Sequence, residues 1–374
     1  MNCMKRFLLL ICFSFSLFLL FGKDDTNKKI TAKFDERIEL MSILCHLAGY
    51  PEYNMNLAGE YIDDIDRHFS EFKNHPAVSM MDSLRRSNGV GFDSPMFFAL
   101  CLQKNGDNFT LFNDSILPER RWRDVDLITA ASEITDFYKR SDFSDFFERH
   151  KPFYNQVCAG FDENVIDRFN LGWFNRFYGI EPVDNFEIVI GFTNGGGNYG
   201  PSIEMPGRPR DIYAIIGYAL NEDGRPYYSS DPEIYLNTVV HEFNHSFVNP
   251  LAENPKFKEQ IEQAGNKMFE FAENAMGRMA YSTGKTLVNE SLVRAAVILY
   301  LIEGDTPDEQ VRHNIVMEMS SGFYWMPELV EVLKGYIQNH ETYPSFETFY
   351  PVIIEFFNNY AKGLSDKVDT VVSH

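Results

Sequence analysis

Residues 241–245 read His-Glu-Phe-Asn-His, a spacing typical of two metal ligands on one helix. Residues four apart on an α-helix project from the same face, so the imidazoles of His241 and His245 can reach one ion. The carboxylate of Glu242, which stands between them, suits a general base that takes a proton from water beside the ion. The alternative is a pair of hydrogen-bonded histidines on a buried helix.

The flanking sequence predicts that this motif lies on a helix packed inside a domain. Asp231-Pro232 is a typical helix start, because Asp caps the first turn and Pro tolerates its first position. Asn249-Pro250 predicts the end of the helix. The apolar residues between them recur at helical spacing, at Ile234, Leu236, Val239, Val240, Phe243 and Phe247.

A catalytic zinc site needs three protein ligands and an open position for water, so the chain must supply one more ligand. Glu253 and the acids of residues 256–270 lie in a highly charged stretch, and we interpret them as surface residues. Glu290 stands instead in an otherwise apolar helical segment, where a carboxylate is expected to be paired or metal-bound. The alternative for Glu290 is a salt bridge with Arg294, one helical turn later.

The segment Asn289-Glu290-Ser291 resembles the third-ligand segment of gluzincins, zinc peptidases of the thermolysin type. In that family the ligand helix packs antiparallel to the motif helix. The resemblance implies one Zn²⁺ per chain, bound by His241, His245 and this glutamate, with Glu242 as the catalytic base. Compared with that family, this chain has a longer segment between the motif and the candidate ligand. Arg294 also stands where the family has an acidic residue, four places after the ligand.

Another zinc-peptidase subclass, the metzincins, is excluded, because Val248 and Leu251 occupy the positions of its Gly and His. The oxyanion formed during peptide hydrolysis needs a second electrophile besides the metal. The downstream candidates are Tyr281, His313, Tyr324 and Tyr350, with Arg294 as a further residue that supports the ligands.

Gly195-Gly196-Gly197 is followed by Asn198 and Tyr199 between two predicted strands. Glycines here would let an extended peptide approach and pair with the edge of the sheet, as zincin substrates do. The alternative is a simple loop between the strands, since glycine clusters frequently mark turns.

Composition and targeting limit the partners. The formal net charge is -20 and the sequence shows no long run of basic residues, so we expect no nucleic-acid partner. Residues 1–22 predict an export signal peptide, because Lys5 and Arg6 precede a short uncharged apolar run. An uncleaved membrane anchor or a lipid on Cys12 are alternatives.

The remaining cysteines are predicted to be buried free thiols, at Cys45, Cys101 and Cys158.

The order of the elements predicts an α+β protein of ordinary globular size. After a linker over 23–33, residues 34–180 are predicted to be mostly helical, with helices near 38–47, 56–73, 76–87, 93–104 and 126–170. Residues 181–374 are predicted to form the catalytic region. Its strands are Phe186–Phe192 and Ile212–Tyr218, and helices near 256–280 and 286–303 and a helical tail to 362 follow the motif. Strands before the motif helix and helices after it resemble the zincin fold, in which a small twisted sheet covers the active-site helix.

Four segments are also similar to an exported bacterial family known only as a domain of unknown function (DUF4932). They are residues 35–40, 47–50, 198–200 and 241–250. That resemblance implies a zincin-like fold and export, and it implies no substrate.

The expected function is an exported zinc peptidase acting on peptides or proteins. One alternative is a surface or periplasmic binding protein that keeps the scaffold without turnover, although Glu242 argues against it. Another is a hydrolase of a non-peptide amide, such as a cell-wall link. The cleavage preference and the oligomeric state are left open.

Overall fold

The structure is a computed structural model and describes residues 30–372, apart from 56–58, 114–119, 182–183, 206, 223 and 232–233. The predicted signal peptide, residues 1–22, and most of the predicted linker lie outside the described residues. Within the described part of the chain, no helix combines the length and the apolar character needed to cross a bilayer.

Thirteen α-helices lie within the described residues and make the protein mostly helical. In chain order they are α1 Glu36–Leu47, α2 Glu60–Phe69, α3 Pro76–Asn88, α4 Ser94–Leu100, α5 Leu127–Arg140, α6 Phe143–Asn164, α7 Gly172–Tyr178, α8 Tyr235–Glu253, α9 Lys258–Arg278, α10 Gly284–Glu303, α11 Asp308–Ser320, α12 Met326–Gln338 and α13 Phe346–Val372. Helix α9 occupies the segment between the helix that carries the motif and the helix that carries Glu290.

Eight short strands accompany these helices in the described residues and confirm the α+β class. They are β1 Ala32–Lys33, β2 Leu102–Asn105, β3 Asn108–Leu111, β4 Asn185–Gly191, β5 Ser202–Ile203, β6 Asp211–Gly217, β7 Ala219–Leu220 and β8 Pro226–Tyr227. Four of them form one mixed sheet with the order β1-β4-β6-β5. Strand β4 is parallel to β1 and β6, and β5 runs antiparallel to β6.

The centre of the sheet is formed by β4 and β6, whose sequences are rich in β-branched residues. Residues 188–190 and 214–216 are buried without interruption, as in parallel strands that are covered on both faces. Helix α8 packs against β6, and α10 packs against α8. The motif helix therefore lies between the sheet and the C-terminal helices.

Two predictions for the N-terminal helices are wrong in detail. The predicted helix over 93–104 ends early, because Gly106-Asp107 forms a two-residue turn that pairs β2 with β3. The predicted helix over 126–170 is divided, and Asp142 adopts a left-handed φ of 48° between α5 and α6. Short polar residues tolerate that conformation and interrupt a helix there.

The last two residues of the predicted linker belong to the sheet, since Ala32 and Lys33 pair with β4. The hydrophobic core is continuous and includes residues from both predicted regions. The division of the chain at residue 180 stays a prediction. The predicted free thiols are confirmed, and all three are buried, at Cys45, Cys101 and Cys158.

Candidate metal centre

Helix α8 carries both motif histidines on one face. The Nε2 atoms of His241 and His245 are 3.1 Å apart. The apolar side of the helix is buried at Val239, Val240 and Phe243, where α8 packs against β6 and α10. This packing fixes the direction in which the two imidazoles project.

The ends of α8 differ from the prediction. The helix begins at Tyr235, and Pro232 of the predicted cap lies outside the described residues. The helix also continues for three residues beyond Pro250. Pro250 has no N–H to bond the carbonyl of Ser246, and Nη1 of Arg210 donates to that carbonyl instead at 2.7 Å. The proline is tolerated because a side chain supplies the missing donor.

Helix α10 brings Glu290 to the histidine pair. Its Oε2 lies 3.6 Å from Nε2 of His241, and its Oε1 lies 3.6 Å from Nε2 of His245. Two atoms that each lie about 2.0–2.1 Å from a zinc ion, at the tetrahedral angle, are about 3.3 Å apart. Among the described residues, this is the one group of three His, Cys, Asp or Glu side chains spaced for a metal ion. The three side chains could therefore hold a metal ion, and their spacing is compatible with zinc.

Arg294 lies beside Glu290, so the alternative salt bridge is present as well. Its Nε is 3.5 Å from Oε2 of Glu290. Its shorter contact is with Glu318, whose Oε2 accepts from Nη1 at 2.8 Å. Oε2 of Glu290 is buried and makes no hydrogen bond. Because Arg294 has a carboxylate partner of its own, Glu290 is available to the two histidines.

Glu242 is buried on α8 between the two histidines. Burial, reinforced by the carboxylates of Glu290 and Asp93, raises the pKa of Glu242 well above its usual value. Burial also lowers the pKa of His241 well below its usual value, assisted by the neighbouring His245 and a guanidinium group. A neutral imidazole is the form that binds metal, and a carboxyl group with a raised pKa is suited to accepting and returning a proton.

His245 has a partner that was not predicted from the sequence. Its Nδ1 lies 3.4 Å from Oδ1 of Asn249, one turn further along α8. A hydrogen bond from Nδ1 to this amide leaves the lone pair on Nε2, which is the tautomer that a metal ligand needs. The sequence did contain a signal for this contact, because His241, His245 and Asn249 follow one another at intervals of four residues and so share one face of the helix.

The predicted electrophiles lie in different environments. The hydroxyl of Tyr281 accepts from Nη2 of Arg294 at 3.3 Å, which brings it to the edge of the cluster. Burial, followed by the charge of Glu290, raises the pKa of Tyr281. Tyr324 and His313 are exposed, whereas Tyr350 is fully buried on α13. Of these four side chains, Tyr281 is the one that the structure brings to the ligands.

The predicted glycine segment forms the turn between β4 and β5. Gly195 has a φ of 62°, and a Cβ atom there would lie 2.3 Å from the carbonyl oxygen of Glu52. Oδ1 of Asn198 accepts from the amide of Gly217, the last residue of β6, at 3.1 Å. The close backbone approach that Gly195 permits is therefore to the protein's own chain.

The residues after this turn lie directly on the motif helix. Tyr199 exchanges two backbone hydrogen bonds with Ile215, and β5 then continues the antiparallel pairing. At Gly200, a Cβ atom would lie 2.0 Å from the carbonyl oxygen of Glu242. Only glycine allows this edge of the sheet to approach the backbone of the catalytic candidate so closely.

The family model for the domain of unknown function DUF4932 matches residues 123–356. These are 356 − 123 + 1 = 234 of the 374 residues, which is more than half of the chain. The chain belongs to the DUF4932 family. No curated protein and no solved structure matches it. The motif, Glu290 and Arg294 all lie inside the matched DUF4932 region, whereas Asp93 precedes it.

Proposed function

We propose that the protein is an exported, zincin-like zinc peptidase that hydrolyses peptide bonds. The observation that carries this proposal is the convergence of His241, His245 and Glu290 around one point, with the buried Glu242 on the same helix. Three ligands and an open position are the composition of a catalytic zinc site rather than a structural one. Export is supported by the leader-like sequence of residues 1–22.

The zincin-like part of the proposal is supported by the order of the layers. A small sheet with an antiparallel edge strand lies on the motif helix, and the third ligand comes from a later helix that packs against it. The resemblance of residues 289–291 to the gluzincin ligand segment agrees with this arrangement.

The chemistry follows from the positions of the side chains. Zinc in this site would acidify a water molecule and polarise the scissile carbonyl. Glu242 accepts the proton of the attacking water and returns it to the leaving amine, a task for which its raised pKa is suited. We assign the hydroxyl of Tyr281 as the second donor to the oxyanion, and Arg294 orients this hydroxyl through its contact at 3.3 Å.

A peptide substrate would pair with the edge of the sheet. Among the described residues, strand β5 has one neighbouring strand, β6, and the chain just before it lies against the backbone of Glu242. An extended peptide added to such an edge gains backbone hydrogen bonds and presents its carbonyl groups next to the motif helix. Residues 196–199 lead into this edge.

The test compares the zinc-loaded wild-type protein, without residues 1–22, with Glu242→Gln on a proteome-derived peptide library. Gln is close in shape and cannot accept the proton, so zinc content should stay near one per chain while hydrolysis falls at least about a hundredfold. Glu253→Gln is the matched control, because this exposed acid pairs with Lys258 and Lys285. A wild-type protein that binds zinc and cleaves no peptide bond would contradict the proposal and favour the binding protein or the non-peptide hydrolase.

A further inference from the structure

A cavity of about 1080 Å³ lies at the carboxyl ends of the two central strands. Its walls come from α2, α6 and the segment that runs from the end of β6 to β8. Tyr218, the first residue after β6, lines the cavity, and its ring centroid lies 6.1 Å from that of Phe192, the first residue after β4. Ligands of proteins with parallel strands commonly bind beyond the carboxyl ends of those strands. Neither the motif residues nor Glu290 line this cavity.

Aromatic side chains in the cavity wall are held in fixed positions. The ring of Tyr61 stacks on that of Phe153 with centroids 5.2 Å apart, and Phe153 meets Tyr218 edge-on at 6.5 Å. The hydroxyl of Tyr61 donates to Oε1 of the buried Glu39 at 2.8 Å. Oε2 of Glu39 accepts from the amide of Phe192 at 3.1 Å. These contacts join the aromatic wall to the end of β4, so the cavity offers a rigid apolar surface.

Polar groups of both charges also line the cavity. Carboxylates are supplied by Glu60, Asp64 and Glu163, and a guanidinium group is supplied by Arg225. Tyr228, another wall residue, is 4% exposed, and its buried hydroxyl has no hydrogen-bond partner in the described part of the chain. Buried hydroxyls are usually paired with protein, water or a ligand. The wall therefore keeps hydrogen-bonding capacity that the protein itself does not use.

This combination of groups favours a neutral ligand with hydroxyl groups and an apolar face. An anion would be repelled by the three carboxylates, and a cation would leave the donors of Arg225 without a partner. Hydroxyl groups both donate and accept, so one ligand can bond carboxylates and a guanidinium together. The C–H groups on the face of a sugar ring can pack on aromatic rings, whose faces carry partial negative charge. A saccharide combines these properties.

We propose that this cavity is a binding site for a short neutral oligosaccharide, separate from the metal centre. Small-molecule sites usually enclose about 300–1000 Å³, so this cavity has room for more than one sugar ring. The site adjoins the motif helix, because the ring of Tyr228 lies 4.9 Å from that of Tyr235, the first residue of α8. The inference goes beyond the peptidase function and does not depend on it, since the ligand binds here without zinc or Glu242.

The test measures the binding of four neutral tetrasaccharides, made of glucose, mannose, xylose or N-acetylglucosamine, by titration calorimetry on the protein without residues 1–22. At least one should bind the wild type with a Kd below about 1 mM. Gly160 on α6 lines the cavity, and a Cβ atom there would meet nothing within 4 Å. Gly160→Phe should therefore fill ligand space and raise the Kd at least about tenfold, whereas Gly160→Ala should keep it.

Two further variants make the result specific. Gly277→Phe on α9 is the matched control, because this helical glycine also has open space at its Cβ position and does not line the cavity. Its Kd should match the wild type. Tyr227→Ala removes a wall ring that is 52% exposed and should raise the Kd about three- to tenfold through lost stacking. Thermal unfolding of both glycine variants should stay near or above the wild type, since glycine is unfavourable inside a helix.

The inference is overturned if none of the four saccharides binds, or if Gly160→Phe binds them as the wild type does. It is also overturned if adenosine or spermidine binds the wild type and the saccharides do not, because the cavity would then be a nucleoside or cation site. If Gly160→Phe does not fold, an unchanged Kd in Tyr227→Ala has the same consequence. The peptide assay with Glu242→Gln is independent of these results, so either proposal can fail alone.

Discussion

Replacing Glu290 by alanine separates its two interactions, which are those with the histidine pair and with Arg294. The variant loses a carboxylate that lies 3.6 Å from both Nε2 atoms and 3.5 Å from Nε of Arg294. An uncompensated buried cation would cost about 3–5 kcal/mol. Arg294 keeps Glu318 at 2.8 Å and the hydroxyl of Tyr281 at 3.3 Å, so we expect a loss of only about 1–2 kcal/mol in the metal-free protein.

Zinc affinity should fall much further. A zinc site with four ligands provides about 10–16 kcal/mol, so one ligand contributes about 2.5–4 kcal/mol. The dissociation constant of Glu290→Ala is therefore expected to rise about 100- to 1000-fold. At a free zinc concentration about 1000 times the wild-type dissociation constant, the wild type gains about 4 kcal/mol of stability. The variant should gain only about 0.4–1.4 kcal/mol under the same conditions.

Two measurements on purified protein check this expectation, namely zinc competition with a chromophoric chelator and denaturant unfolding with and without zinc. Glu253→Ala is the control, since it removes an acid that is 52% exposed and contacts Lys258 and Lys285. Its zinc affinity should match the wild type. The reasoning is refuted if Glu290→Ala keeps wild-type zinc affinity, or if it loses more than about 3 kcal/mol without zinc, because Glu290 would then serve Arg294.

Two further substitutions address the groups around the ligands. Asn249→Ala removes the acceptor for Nδ1 of His245 and should weaken zinc binding about 10- to 100-fold in the same competition assay; unchanged affinity would show that the ring orientation does not depend on this amide. Tyr281→Phe should keep zinc and slow peptide hydrolysis about 100-fold, whereas Tyr350→Phe, on the buried face of α13, should leave the rate unchanged. Equal rates for both tyrosine variants would exclude Tyr281 as the second electrophile.

The elements that the sequence predicted well are those with a strong local signal. Strands β4 and β6 are runs of β-branched residues, and the structure places them within one residue of the predicted bounds. The hairpin β2–β3 was missed, although Gly106-Asp107 is a turn signal, because Leu100 to Leu102 continue an apolar run. The end of α8 was also misplaced. Arg210, which is distant in sequence, donates to the carbonyl of Ser246, so no local pattern around Pro250 predicts that the helix continues past it.

In the candidate site, helical periodicity by itself determined that His241 and His245 share a face and that Glu242 stands between them. Glu290 needed two further arguments, namely the cost of a carboxylate in an apolar helix and the resemblance of residues 289–291 to a gluzincin ligand segment. Its distance to the histidines was decided by how α10 packs on α8. The approach of Gly200 to the carbonyl of Glu242 was decided by tertiary structure alone. Contacts between residues distant in sequence depend on how whole elements pack, and side-chain spacing along one helix or strand carries no record of that packing.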